Sequence, residues 1–292
     1  MWTDDDLLRL DARYAEAGIP FHARPLRAAM DLLGNRFVIG GGNTEVHAIT
    51  QAYSRLIPEV NTTWPGKGIG LAASIDRVRK VTVGVVYGKT AIIPEKALGF
   101  DNHEEWSRWC RNDPTIAASS CFAFADLFDL TYGIDELRHS SPVAAEYWHL
   151  ALSNLEDVAN VLSSGFSVSS VLQPICLTAE LAMKANLIHS GIDPKALSNR
   201  DVGHRHAVLA RRMREASPHR DDEMVAAIAT ALPDYVSSRY QAAGLTRLNV
   251  VNLALGVQFI AASSIRRLTS RDLAREMEQS EWPGPRKTFL LT

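Results

Sequence analysis

The residues best suited to chemistry gather in one short stretch. Arg200, His204 and His206 lie together there, followed by Arg205, Arg211 and Arg212. A histidine can pass a proton to or from a ribose hydroxyl or a leaving oxygen, and an arginine can stabilise the charge on a pentavalent phosphorus. The set therefore suits metal-independent cleavage, or simple binding, of a phosphodiester. Gly203 stands where a helix should open, so backbone N–H groups there could help hold a phosphate. Arg214 and His219 form a second pair of the same kind. With Arg266, Arg267 and Arg271 the arginines could line a face for RNA or nucleotide phosphates, or form a solvated face balanced by Asp221, Asp222 and Glu223. A metal is not expected. His204 and His206 are two residues apart, which on a helix points their rings in different directions, and His22 and His47 belong to separate segments.

The elements that must position this stretch can be read around it. Ile175, Ala179, Ala182, Met183 and Leu187 recur at helical spacing, with Glu180 and Lys184 as an i,i+4 pair of favourable polarity. Gly191 ends that helix, Asp193-Pro194 turns the chain, and the Gly203-His204-Arg205-His206 run opens a second helix through Val208, Leu209 and Met213.

The order AELAMKANLIHSGIDPK then GHRHAVLARRM resembles the middle of a HEPN domain, a small helical domain of prokaryotic toxins and defence proteins. The helix EYWHLAL before it and the run SRYQAAG after it fit the same pattern, which spans about residues 140–270. The resemblance implies a helical bundle, a nucleotide or RNA partner, pairing of two copies, and a bacterial stress or phage-defence setting. HEPN ribonucleases carry their Arg and His late in the domain; here Arg239 stands in that region with no His after it. Robust catalysis is therefore not expected.

A formal net charge of −2 argues against a general nucleic-acid coat but allows a local basic patch. Cys110, Cys121 and Cys176 are too few and scattered for a disulfide framework or a cysteine-based zinc site. The start MWTDDDLL is acidic where a signal peptide is basic, and no run looks long enough for a membrane span, so the expected location is the cytoplasm with no membrane partner.

In the N-terminal part, helices are expected from Thr3 to Gly18, after Arg24-Pro25 to Gly34, and from Thr44 to Leu56. Residues 78–94 have the β-branched density of strands, with a hairpin turn expected at Gly88-Lys89. Gly84 to Thr90 ends like a phosphate loop but has three residues between its glycines where four are required. The run Pro65-Gly66-Lys67-Gly68-Ile69-Gly70 reads as a surface loop in which Lys67 could touch a ligand. Trp106, Trp109, Phe122, Phe124 and Phe128 fall at helical spacing and belong in a core rather than on a base-stacking platform.

The sequence thus predicts an α+β chain: an N-terminal α+β domain at 1–139, with helices and a small hairpin, then an all-α HEPN-like bundle at 140–275 and an irregular tail at 276–292. Its expected function is nucleotide or RNA interaction without robust catalysis and without a cofactor. The alternatives are a metal-independent ribonuclease using Arg200, His204 and His206, and a structural or regulatory protein that dimerises. The segment 253–265, richer in small and apolar residues than one core face needs, is the expected dimer surface.

Overall fold

The computed structural model describes residues 2–38, 43–60, 66–86, 91–165, 169–199, 202–233 and 244–286. The chain forms two compact units, Met1–Pro65 and Gly66–Thr292. In order it runs from helices through a small antiparallel sheet to helices, an α+β arrangement.

The first unit holds α1 (Asp4–Glu16), α2 (Arg24–Leu33) and α3 (Thr44–Leu56). Thr3 and Asp6 form a reciprocal capping box that satisfies two donors left open by the first turn of α1. Leu7, Tyr14, Ala28, Leu33, Ile49 and Tyr53 make its core. Two core tyrosines keep their hydroxyls on carboxylates: Tyr14 donates to Asp31 at 2.9 Å and Tyr53 to Asp11 at 2.5 Å. Burial, helped by the bond to Asp31, pushes the Tyr14 phenol up to about 12.

The second unit begins with a hairpin, β1 (Gly68–Ser74) and β2 (Arg77–Val83), paired in the register Gly68↔Val83 to Ser74↔Arg77. The hairpin differs from the expected one. Its turn is Ile75-Asp76, and the glycine-rich run read as a loop supplies the first strand. Glycines stand there because neighbours press on the strand: a methyl group on Gly68 would meet Thr131 and Leu152, and one on Gly70 would meet Gln258 and Leu127. Residues 91–93 are not strand. The turn expected at Gly88-Lys89 lies outside the described residues.

After the hairpin come α4 (Pro94–Ala97), α5 (His103–Trp109), α6 (Pro114–Leu137), α7 (Pro142–Ser164), α8 (Leu172–His189), α9 (Pro194–Leu197), α10 (His206–Ala216), α11 (Asp222–Ala231), α12 (Arg247–Arg266) and α13 (Leu273–Glu278). The bundle α7, α8, α10, α11 and α12 has no strand among the described residues. Met183, Leu187, Leu209 and Leu253 are buried in it, while Leu181 is half-buried. Trp106, Phe122 and Phe124 are buried and Trp109 and Phe128 pack against the core, so the aromatics are structural.

The unit boundary at Pro65/Gly66 replaces the seam expected at 139/140. The hairpin and α6 pack on the bundle, with β1 against α6, α7 and α12 and α12 against α6 and α8. A hairpin cannot bury an apolar face alone, and here the bundle buries it. Gln258 of α12 fastens the three layers: its Oε1 accepts from Leu71 N at 2.9 Å, and its Nε2 donates to Leu71 O at 3.1 Å and Ala123 O at 2.7 Å.

Two further expectations change. α12 has the length and apolarity of a membrane-crossing helix, but 89% of that window is buried inside the unit. The same burial takes 253–265 out of reach as a dimer surface: the apolar surplus is used by α6, α8, α11 and β1, which surround α12. The tail expected to be irregular from 276 is helical to Glu278, and beyond it Arg286 returns to the interior.

Candidate functional site

The joint between α8 and α10 is built by successive stops. Gly191 at φ 93° ends α8, with Ile192 N donating to Leu187 O at 3.0 Å. Asp193 accepts from Lys195 N at 2.8 Å and starts the single turn of α9. Turns through Gly203 and His204 then bring the chain to α10, whose first residue is His206.

The two histidines have opposite surroundings. His206 is 5% exposed and donates from Nε2 to Cys176 O at 3.1 Å, since a carbonyl can only accept. It ties α10 to α8 from within and is not placed to reach an RNA phosphate. His204 is half-exposed, and its Nδ1 lies 3.0 Å from Glu180 Oε2. Glu180 is buried, and its other oxygen meets Lys184 Nζ at 2.6 Å. A buried carboxylate on Nδ1 fixes the ring orientation and favours the proton on that nitrogen, the relation that prepares a histidine for proton transfer or anion contact. The sequence shows the Glu180–Lys184 pair by spacing, but its partnership with His204 spans 24 residues and leaves no local pattern.

The expected basic residues sort differently. Arg205 and Arg212 have no carboxylate within ion-pair distance among the described residues. Arg205 is the non-helical residue that precedes α10, and Arg212 lies within α10 seven positions on. Arg211 faces Glu215 at 3.8 Å, and Arg214 lies 4.0 Å from Asp222. Arg200 and Arg239 lie outside the described residues. Lys67, expected at a ligand, is bound to Asp135 and sits 4.8 Å from the Tyr132 ring centroid, because the start of β1 runs beside α6.

Arg266, Arg267 and Arg271 do not form a phosphate face. Arg271 pairs with Glu136 at 3.2 Å, and Arg267 with Asp222 at 2.9 Å. Arg266 is wholly enclosed, with Asp126 at 2.5 Å, Asp129 at 2.7 Å and Asp221 at 3.7 Å. Asp126 also takes Arg286 at 2.8 Å, and Asp272 takes Arg220. Burial opposes the charge of Arg266, and the carboxylates of Asp129, Asp126 and Asp221 outweigh it, so the guanidinium stays charged. Burial also raises the Asp221 carboxyl, but the His219 ring beside it and the charges of Arg266 and Arg220 overcome it and hold Asp221 well below the usual carboxylate range. This centre joins α6, α11, α12, α13 and the tail. Its sequence signal was a pair of acids, Asp126 and Asp129, on one face of an otherwise apolar helix.

The three cysteines are buried and form no disulfide among the described residues, and burial pushes the Cys110 thiol up to about 11 and the Cys121 thiol up to about 12. Thiols held protonated in this way are poor nucleophiles. Among the described residues no three His, Cys, Asp or Glu side chains gather as metal ligands. No protein-family model, curated protein or solved structure matches the chain.

Proposed function

We propose that the protein is a HEPN-like, nucleotide- or RNA-interacting protein of the bacterial cytoplasm, acting as a homodimer in stress or phage defence without robust catalysis. The observation that carries the reading is the joint. His204 is held on buried Glu180 with half its side chain in solvent, next in sequence to Arg205 at the entry of α10, with Arg212 further along that helix. Cations without internal acids keep their charge available for phosphate oxygens.

Fluorescence anisotropy with a single-stranded RNA oligomer and with ATP tests it. Binding should weaken with salt, and Arg205→Ala or Arg212→Ala should each reduce the salt slope by about one. Sequence-independent binding that persists in the double variant refutes the placement. Sedimentation at micromolar concentration reads the pairing, and a single-chain mass refutes it.

One observation favours a second reading, a metal-independent ribonuclease: the Glu180–His204 geometry suits a general base. In that reading His206 is structural, since it is committed to Cys176 O, and His204 acts alone with an arginine. RNA cleavage in EDTA, present in the wild type and lost in His204→Ala, would establish it over the non-catalytic reading.

A further inference from the structure

A cleft along β2 shares no residue with the joint. It has a volume of about 480 Å³ and is walled on one side by Val78, Arg79, Lys80 and Thr82, and on the other by α4 with the turn that follows it, Lys96 to Gly99, with Ser163 of α7 at one end. The dimensions suit a small molecule. Among the described residues three cations line it and no carboxylate does.

Each cation is held by an uncharged acceptor. Arg79 donates from Nε to Leu98 O at 2.8 Å and from Nη2 to Gly99 O, and its guanidinium lies 3.9 Å from the Phe100 ring centroid. Lys96 donates to Asp101 O, and Lys80 to Asn160 Oδ1 at 3.3 Å. None has an ion-pair partner among the described residues. The arginine is thus oriented before any ligand arrives, and three like charges remain to be balanced. Lysines on an exposed strand edge often only deter pairing with another chain. That purpose accounts for Lys80, but not for Lys96 on the opposite wall or for the clamped Arg79. The hydroxyl of Thr82 adds a neutral donor that suits a phosphate oxygen.

We propose that this cleft binds a small diphosphate-bearing molecule, with Arg79, Lys80 and Lys96 contacting its phosphate oxygens. One phosphate carries too little charge to balance three cations, whereas two linked phosphates carry enough. The apolar patch of Val78, Ala97 and Leu98 leaves room for an organic substituent. The site goes beyond the function proposed above and stands without it.

Calorimetric titration of the full chain with inorganic pyrophosphate and with ADP tests the proposal, with inorganic phosphate as the weak comparator. Saturable binding of one molecule per chain is expected. Lys80→Gln and Lys96→Gln remove exposed charges without touching the core, and each should weaken binding about tenfold, the worth of one charge-assisted bond. Arg205→Ala/Arg212→Ala should leave pyrophosphate binding unchanged, which separates this cleft from the joint. ADP binding more tightly than pyrophosphate assigns a nucleoside substituent, and equal affinity assigns recognition of the phosphates alone. No saturable binding of either, binding indifferent to both lysine variants, or binding lost in the joint variant overturns the proposal.

Discussion

Replacing Arg266 by Met should be the most damaging single change in the second unit. Arg266 is fully enclosed and faces Asp126, Asp129, Asp221 and Asp272. Its loss does not strand all four equally, since Asp272 keeps Arg220. Asp126 keeps two bonds from Arg286, at 2.8 and 3.0 Å, and Asp221 keeps His219 and Arg220. Asp129 is left with only the backbone N–H groups of Leu273 and Ala274. Removing one partner of a buried ion pair typically costs about 3–5 kcal/mol. For a unit of this size that corresponds to a fall in melting temperature of about 6–20 °C. Urea unfolding followed by circular dichroism, with calorimetry for the midpoint, gives both numbers. The cause is isolated by a second change, because Asn at 129 is neutral and its one amide oxygen can still accept from Leu273 N, the closer of the two backbone donors. Arg266→Met/Asp129→Asn should therefore recover a large part of the loss. The pH dependence provides a further check. Burial already raises the Asp129 carboxyl in the wild type against the charge of Arg266, so in Arg266→Met it should rise further; the stability present below the ordinary value of 3.8 and lost as pH rises through the folded value should then be larger in the variant. A loss under about 1 kcal/mol, or a double variant worse than the single, would refute the reasoning.

Other expectations concern single positions. In the wild type, Asp221 is held below its ordinary value of 3.8, so it contributes stability above that pH that is lost as pH falls toward the folded value; Asp221→Asn should flatten the acid limb of a stability–pH curve below about pH 4. Gly70→Ala forces a methyl group against Gln258 and Leu127 and should cost about 1–3 kcal/mol, whereas Gly84→Ala meets open space and should stay within about 0.5 kcal/mol, both read by urea melts. Gln258→Leu leaves the Leu71 amide and two carbonyls without their side-chain partner and should cost about 2–4 kcal/mol, with hydrogen exchange at Leu71 rising more than at α3.

What the sequence made legible was whatever is set by neighbours along the chain. Thr3 caps α1 and Gly191 stops α8, and each is a local contest that propensity and capping decide. The hairpin was misplaced because its first strand is made of glycine and alanine, whose strand character comes from the bundle pressing on it and not from their own preference. The domain seam was misplaced for the same reason, since nothing in residues 68–74 announces that α12 will receive them. At the joint, the residue types pointed to His204 and His206 alike. Only the fold separates them, turning one into the core against Cys176 and leaving the other on Glu180 at the surface. The arginines at 266 and 267 read as a basic face because their acids lie far away in sequence.

That distance has a consequence for synthesis. Asp126 and Arg266 are separated by 140 residues, and Asp126 and Arg286 by 160. At the usual pace of translation, about 5–20 residues per second, α6 waits about 7–28 s for the first of its counter-charges. Through that interval, closing the face of α6 over Asp126 and Asp129 would bury two carboxylates without a cation, at a large cost in free energy. A chain cut short before Arg266 lacks the counter-charge that this face needs in order to close.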